Sequence, residues 1–87
     1  MLRDNRLTKI PDISNFKDLV IFDVSFNEIS SLKGMSEASP LLKELYLSKN
    51  ELIKIEELDH LHQLRILELG SNRLRVSFVP YNILRLT

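Results

Sequence analysis

Between Leu42 and Leu58 the chain reads LKELYLSKNELIKIEEL, and its apolar period changes partway along. Leu45 and Leu47 stand two apart around Tyr46, as in a strand with one buried face, whereas Leu52, Ile55 and Leu58 recur every third residue. The change comes at Asn50. Asparagines recur at 5, 27, 50 and 72, spaced by 22, 23 and 22, inside the phrases LRDNRL, VSFNEI, LSKNEL and LGSNRL. Aligned on them, the position three before holds Leu2, Val24, Leu47 and Leu69, and the position two after holds Leu7, Ile29, Leu52 and Leu74. Five before stand Phe22, Leu45 and Leu67. Later columns hold Ile10, Leu32 and Ile55, then Ile13, Met35 and Leu58, then Phe16, Ala38, Leu61 and Ile83. A unit then opens at Leu19, Leu42, Leu64 and Leu86, with one extra residue near Ser39-Pro40. Of 27 positions in these seven columns 25 are apolar, Ser77 and Pro80 being the exceptions, where composition alone would fill about 12.

The alternating part predicts a short strand with one face buried. The asparagine turns the chain out of it, and its amide can both donate to and accept from backbone groups that the turn leaves without partners. In stacked units, Asn5, Asn27, Asn50 and Asn72 would form a ladder, stable when every member is satisfied. The three-residue rhythm beyond suits a tight return such as a 3₁₀ turn. Parallel strands need a crossover of about a dozen residues, which a 22-residue unit supplies. The expected fold is therefore an α/β repeat: a short solenoid, with parallel strands on the concave face and turn or 3₁₀ returns on the convex face. An all-helical reading fails on the triplets FDV, LYL and LEL, which alternate and fit no helical stripe.

The phrase LxxLxLxxNxL resembles the leucine-rich repeat. Repeat length, with DVSFNEISSL, LKELYLSKNEL and HLHQLRILELGSNRLR, further resembles the 22-residue subclass found in the leucine-rich-repeat regulatory subunit of protein phosphatase 1. The likeness covers residues 2 to about 75. The skeleton is shared with other repeat proteins of splicing, axonemal and centrosomal complexes. Two departures stand out. The chain starts inside a repeat, and RVSFVPYNILRLT loses two core columns before Ile83 and Leu86 return to register. Residues 1–75 read as repeats, and 76–87 as an irregular tail or degenerate last repeat. No cap is visible at either end, so the expectation is a fragment, a truncated gene model or an alternative transcript.

Composition narrows the classes. Twelve acidic and twelve basic residues are interspersed among 87, so no basic stripe for nucleic acid forms. No apolar run approaches the roughly 18 residues of a membrane span, and the charged opening MLRDNRLTKIPD does not read as a signal peptide. The absence of cysteine excludes disulfides and thiolate chemistry and fits a reducing intracellular compartment, nucleus or cytoplasm.

Outward strand positions are the candidates for function. Asp23, Tyr46 and Glu68 fall in one mid-strand column, which would set them in a line of roughly 10 Å. Ile21, Glu44 and Ile66 fall two residues earlier, and Arg3, Ser25, Ser48 and Gly70 two later. Tyrosine offers contact area with a polar tip, and carboxylates select a basic partner. The resemblance implies that this column, with Glu44 beside it, contacts the catalytic subunit of protein phosphatase 1. Four short strands offer about half of the roughly 800 Å² that a stable partner face needs, so binding by this chain alone should be weak.

Other constellations carry less. Asp59, His60 and His62 flank the core position Leu61 and read as a solvated pair without further metal ligands. Ser25, Ser30 and Ser31 have no activating histidine on their columns, and Gly34 and Gly70 form no phosphate loop. Glu56-Glu57 reads as a hydrated corner. No enzyme, cofactor or metal site is expected. The two functional readings are a scaffold that binds the phosphatase catalytic subunit and a structural adaptor of an axonemal, centrosomal or splicing complex; a truncated product without stable function is the third.

Overall fold

The computed structural model describes residues 5–75. The tail from 76, including Ser77, Pro80, Ile83 and Leu86, lies outside them, as do Leu2 and Arg3. Three strands, β1 (Ile21–Asp23), β2 (Glu44–Tyr46) and β3 (Ile66–Glu68), form one parallel sheet in chain order. Register is fixed by the repeat. Ile21 pairs with Glu44 and Glu44 with Ile66; the next rung joins Phe22, Leu45 and Leu67, and the third joins Asp23, Tyr46 and Glu68. A one-residue slip would turn the buried rung of Phe22 and Leu45 to water, so burial of one face holds this pairing.

Behind the sheet lies a single core built from the apolar columns. Val24, Ile29, Leu32, Met35, Leu42, Leu45, Leu47, Leu52, Leu58, Leu61 and Leu64 are fully buried. Removing each such side chain from water stabilises the fold by about 1.5–3 kcal/mol before entropy is counted. Leu67, Leu69 and Leu74, of the third strand and the corner after it, are half-buried and pack against this core. Phe16 departs from its column. Ala38 and Leu61 are buried there, whereas Phe16 is 58% exposed, although Ile10 and Ile13 of the same return are buried.

The asparagines close the corner of each unit. Asn27 Nδ2 donates to the carbonyls of Val24 (2.8 Å) and Ser25 (3.2 Å), while its Oδ1 accepts from the N–H groups of Asn5 and Leu7, each at 2.9 Å. Asn50 Nδ2 reaches Leu47 O (3.0 Å), Ser48 O (3.3 Å) and, in the preceding unit, Val24 O (3.1 Å); its Oδ1 accepts from Ile29 N–H at 3.0 Å. Asn72 repeats the pattern with Leu69, Gly70 and Leu47, and accepts from Leu52. Each amide thus holds its own corner and clamps the unit before it. Asn5 joins the ladder through its backbone N–H; the residue three before it, where its Nδ2 acceptor would stand, lies outside the described residues. Phe26, Lys49 and Ser71, just before Asn27, Asn50 and Asn72, take left-handed φ of 60°, 58° and 58°. Such angles cost on the order of 1 kcal/mol each for residues with a Cβ, and the amide bonds offset them.

The returns share a backbone turn, with Phe16, Ala38 and Leu61 N–H donating to Ile13, Met35 and Leu58 O, but their side-chain contacts differ from unit to unit. In the second, Gly34 (φ 104°) leads into a 3₁₀ helix, η1 (Met35–Glu37). The extra residue of this unit is accommodated at Ser39, which is buried: its hydroxyl donates to Lys17 O at 2.8 Å and accepts from Leu41 N–H at 3.1 Å. Glu57 corrects the reading of a hydrated corner. Its Oε1 accepts from the N–H groups of Gly34 (3.0 Å) and Ser36 (3.3 Å), capping η1 from the following unit. The N-terminal amides of a helix have no acceptor within the helix, and a carboxylate satisfies them. Glu57 occupies the column of Gly34 and shares its left-handed φ, at 59°. His60 is likewise no purely solvated residue: it is half-buried, with Nε2 3.2 Å from Ala38 O.

Candidate functional site

Strand alternation turns Phe22, Leu45 and Leu67 inward, and therefore Asp23, Tyr46 and Glu68 outward, on one rung of three paired strands. The rung before it carries Ile21, Glu44 and Ile66. Ile21 and Ile66 are 42% and 41% exposed, two apolar side chains in water on either side of a carboxylate. All six residues singled out by the sequence share this outward face.

The two rungs are tied together at the centre. Tyr46 Oη donates to Glu44 Oε1 at 2.5 Å. That bond, reinforced by desolvation and by the negative charges of Glu44, Glu68 and Asp23, pushes the phenol up to about 12, so Tyr46 stays a neutral donor. Asp23 is less open than its column suggests, because its Oδ1 accepts both the N–H (3.0 Å) and the hydroxyl of Ser25. Ser25, which the strand pattern turns to water, is consequently buried, while Ser48 and Gly70 on its rung are not. One step further, Lys49 Nζ sits 5.7 Å from the centre of the Phe26 ring, within cation–π range.

The face is thus a ribbon of three carboxylates around one tyrosine, bordered by two isoleucines. It can offer acceptors to cationic groups and apolar area to their neighbours. Sequence alone did not show the Tyr46–Glu44 bond, although a tyrosine and a glutamate two apart on one strand face could have pointed to it.

Comparison with known proteins agrees with this architecture. The model of the leucine rich repeat family matches residues 17–74, two thirds of the chain. Over 76 residues the chain is 66% identical to an Arabidopsis thaliana protein named protein phosphatase 1 regulatory inhibitor subunit PPP1R7 homolog. That match takes in 87% of this chain and 23% of its relative, so the chain spans under a quarter of the relative's length. Neither match is to an enzyme class. With its asparagine-closed units in register from strand to strand, the chain belongs to the leucine-rich-repeat family.

Proposed function

We propose that this chain is a protein-binding repeat element that docks the catalytic subunit of protein phosphatase 1. In this reading the strands line the concave side of a curved solenoid, the returns form its convex side, and the outward face of the sheet is the contact. Asp23, Tyr46 and Glu68 form the strip, Glu44 fixes Tyr46, and Ile21 and Ile66 supply apolar area. The observation that carries the reading is the pairing of an acid, a tyrosine and an acid on one rung, in a chain 66% identical over 76 residues to a phosphatase regulatory subunit. Tyrosine is enriched among the residues that dominate interface energy, and carboxylates steer a basic partner.

Binding by this chain alone is expected to be weak, because its face is small against the roughly 800 Å² of a stable partner surface. The test is interferometry of the immobilised 87-residue chain against purified catalytic subunit. Replacing Tyr46 and Glu68 together by alanine should weaken the complex at least about tenfold, the loss expected when a central contact is truncated. Undiminished binding by the double variant would remove these residues from the interface, and no binding by the parent chain would count against the partner. A core without cysteine suits a reducing compartment. We accordingly place the chain inside the cell, in nucleus or cytoplasm; a fluorescent fusion found only in the secreted fraction would contradict that.

A further inference from the structure

Beside the acidic ribbon, at the N-terminal edge of the sheet, lies a depression of opposite character. It is lined by Lys43, His62, Gln63, Leu64 and Arg65. Lys43 immediately precedes β2 and Arg65 immediately precedes β3, and Arg65 N–H donates to Lys43 O at 2.8 Å. The two cations therefore stand side by side in one row, at the starts of adjacent strands. Like charges so placed repel, and a counter-charge normally lies nearby. Among the described residues neither makes an ion pair. Glu44, next to Lys43 in the chain, is the natural candidate, but it makes no ion pair with Lys43 and its Oε1 accepts from the Tyr46 hydroxyl on the outward face. Gln63 adds donors, since neither its backbone N–H nor its carboxamide is given to a protein acceptor among the described residues. With twelve acids balancing twelve bases overall, this is a local surplus and not a general positive field.

We propose that this depression is an oxyanion-binding site, in which Lys43 and Arg65 hold a carboxylate or phosphate group with Gln63 donating to the same oxygens. The guanidinium offers a planar fork of N–H donors that matches either group, and the lysine ammonium supplies a point charge beside it. The site lies off the Asp23–Tyr46–Glu68 rung and does not depend on which protein that rung meets.

The test is an NMR titration of the isotope-labelled 87-residue chain with sodium acetate and, separately, inorganic phosphate, at ionic strength held constant with chloride. Saturable shifts confined to Lys43 and residues 62–65 are expected, and the two arms tell a carboxylate from a phosphate preference. Lys43→Gln and Arg65→Gln should each weaken the midpoint about five- to tenfold, the loss of one charge-assisted contact, while the Leu45 and Leu67 amides stay in place as a check on folding. Shifts spread evenly over Lys9, Lys17, Lys33 and Lys54, or equal midpoints in parent and variants, would overturn the proposal.

Discussion

The sheet and the returns of this molecule solve the same stacking problem in opposite ways. Along the sheet, every rung uses one device: an inward apolar residue, an outward polar or apolar one, and an asparagine amide that clamps the corner before it. Among the returns, a backbone turn recurs but the side-chain contacts that support it are individual. Asp12 holds the N–H of Ser14 (3.0 Å) and its hydroxyl (2.7 Å) within its own unit, Ser39 reaches back to Lys17, and Glu57 caps the helix of the unit before. The difference teaches where variation is tolerated. A repeated corner fixes the backbone, so outward strand residues can change without cost to the fold and become available for recognition. The returns share a backbone turn, Phe16 N–H to Ile13 O, Ala38 N–H to Met35 O and Leu61 N–H to Leu58 O, but the polar side chains that support it differ from unit to unit.

The sharpest break of that contrast is Asn50→Ala. Asn50 is 3% exposed and serves three carbonyls and at least one N–H across two units. Truncation strands these groups in the core, at about 1–3 kcal/mol for each that stays unsatisfied. We expect a total loss of about 3–5 kcal/mol, a large share of the 5–15 kcal/mol that holds a small domain together. Asn72→Ala, at the half-buried corner, should cost about half as much, because water can reach part of what it exposes. Urea unfolding followed by circular dichroism measures both. A change below about 1 kcal/mol for Asn50 would mean that the corner is not what holds the units in phase.

Among the returns, Glu57 gives a smaller and pH-dependent effect. The N–H of Gly34 draws its carboxyl below the ordinary 4.5, with the Ser36 bonds and Lys33 helping and desolvation opposing. A folded value below the unfolded one means that the contribution is present above about pH 4.5 and is lost as pH falls through the folded value. Glu57→Gln keeps an acceptor but no charge. Its melting temperature should lie below that of the parent chain at neutral pH, and the gap should close in acid. A gap that persists unchanged below pH 4 would assign the cap's contribution to geometry and not to charge.

These two regions also differ in how far the sequence foretells them. Strand register, the inward leucines and the asparagine corner were all legible, because each rests on a residue type recurring at 22 or 23 residues. The six outward residues follow from alternation alone, and the structure sets them on one face. Glu57, Ser39 and His60 were not legible as contacts. Each reaches 21 to 23 residues back to a backbone group, and backbone amides and carbonyls leave no mark in a sequence. Phe16 misleads in another way: its column is apolar, and Ala38 and Leu61 are buried in it, yet Phe16 itself is exposed. Periodicity reports equivalence between units and is silent on contacts peculiar to one of them.

The finest test acts on a single hydroxyl within the acidic ribbon, next to the basic depression. Tyr46→Phe keeps the ring and removes the donor that occupies Glu44. In the parent chain the fold favours the neutral phenol, so this contribution is complete below pH 10 and fades as pH rises toward about 12. Tyrosinate absorbance should therefore show Tyr46 ionising late, and Glu44→Ala should bring it earlier by removing the first cause of the shift. At neutral pH the Phe variant frees Glu44 to turn toward Lys43. A surface pair of this kind is worth up to about 1 kcal/mol, so phosphate binding at the depression should weaken by about twofold. Unchanged phosphate affinity in Tyr46→Phe would show that the hydroxyl does not keep the two charge patterns apart. They would then be independent features of neighbouring rungs, each set by its own strand position.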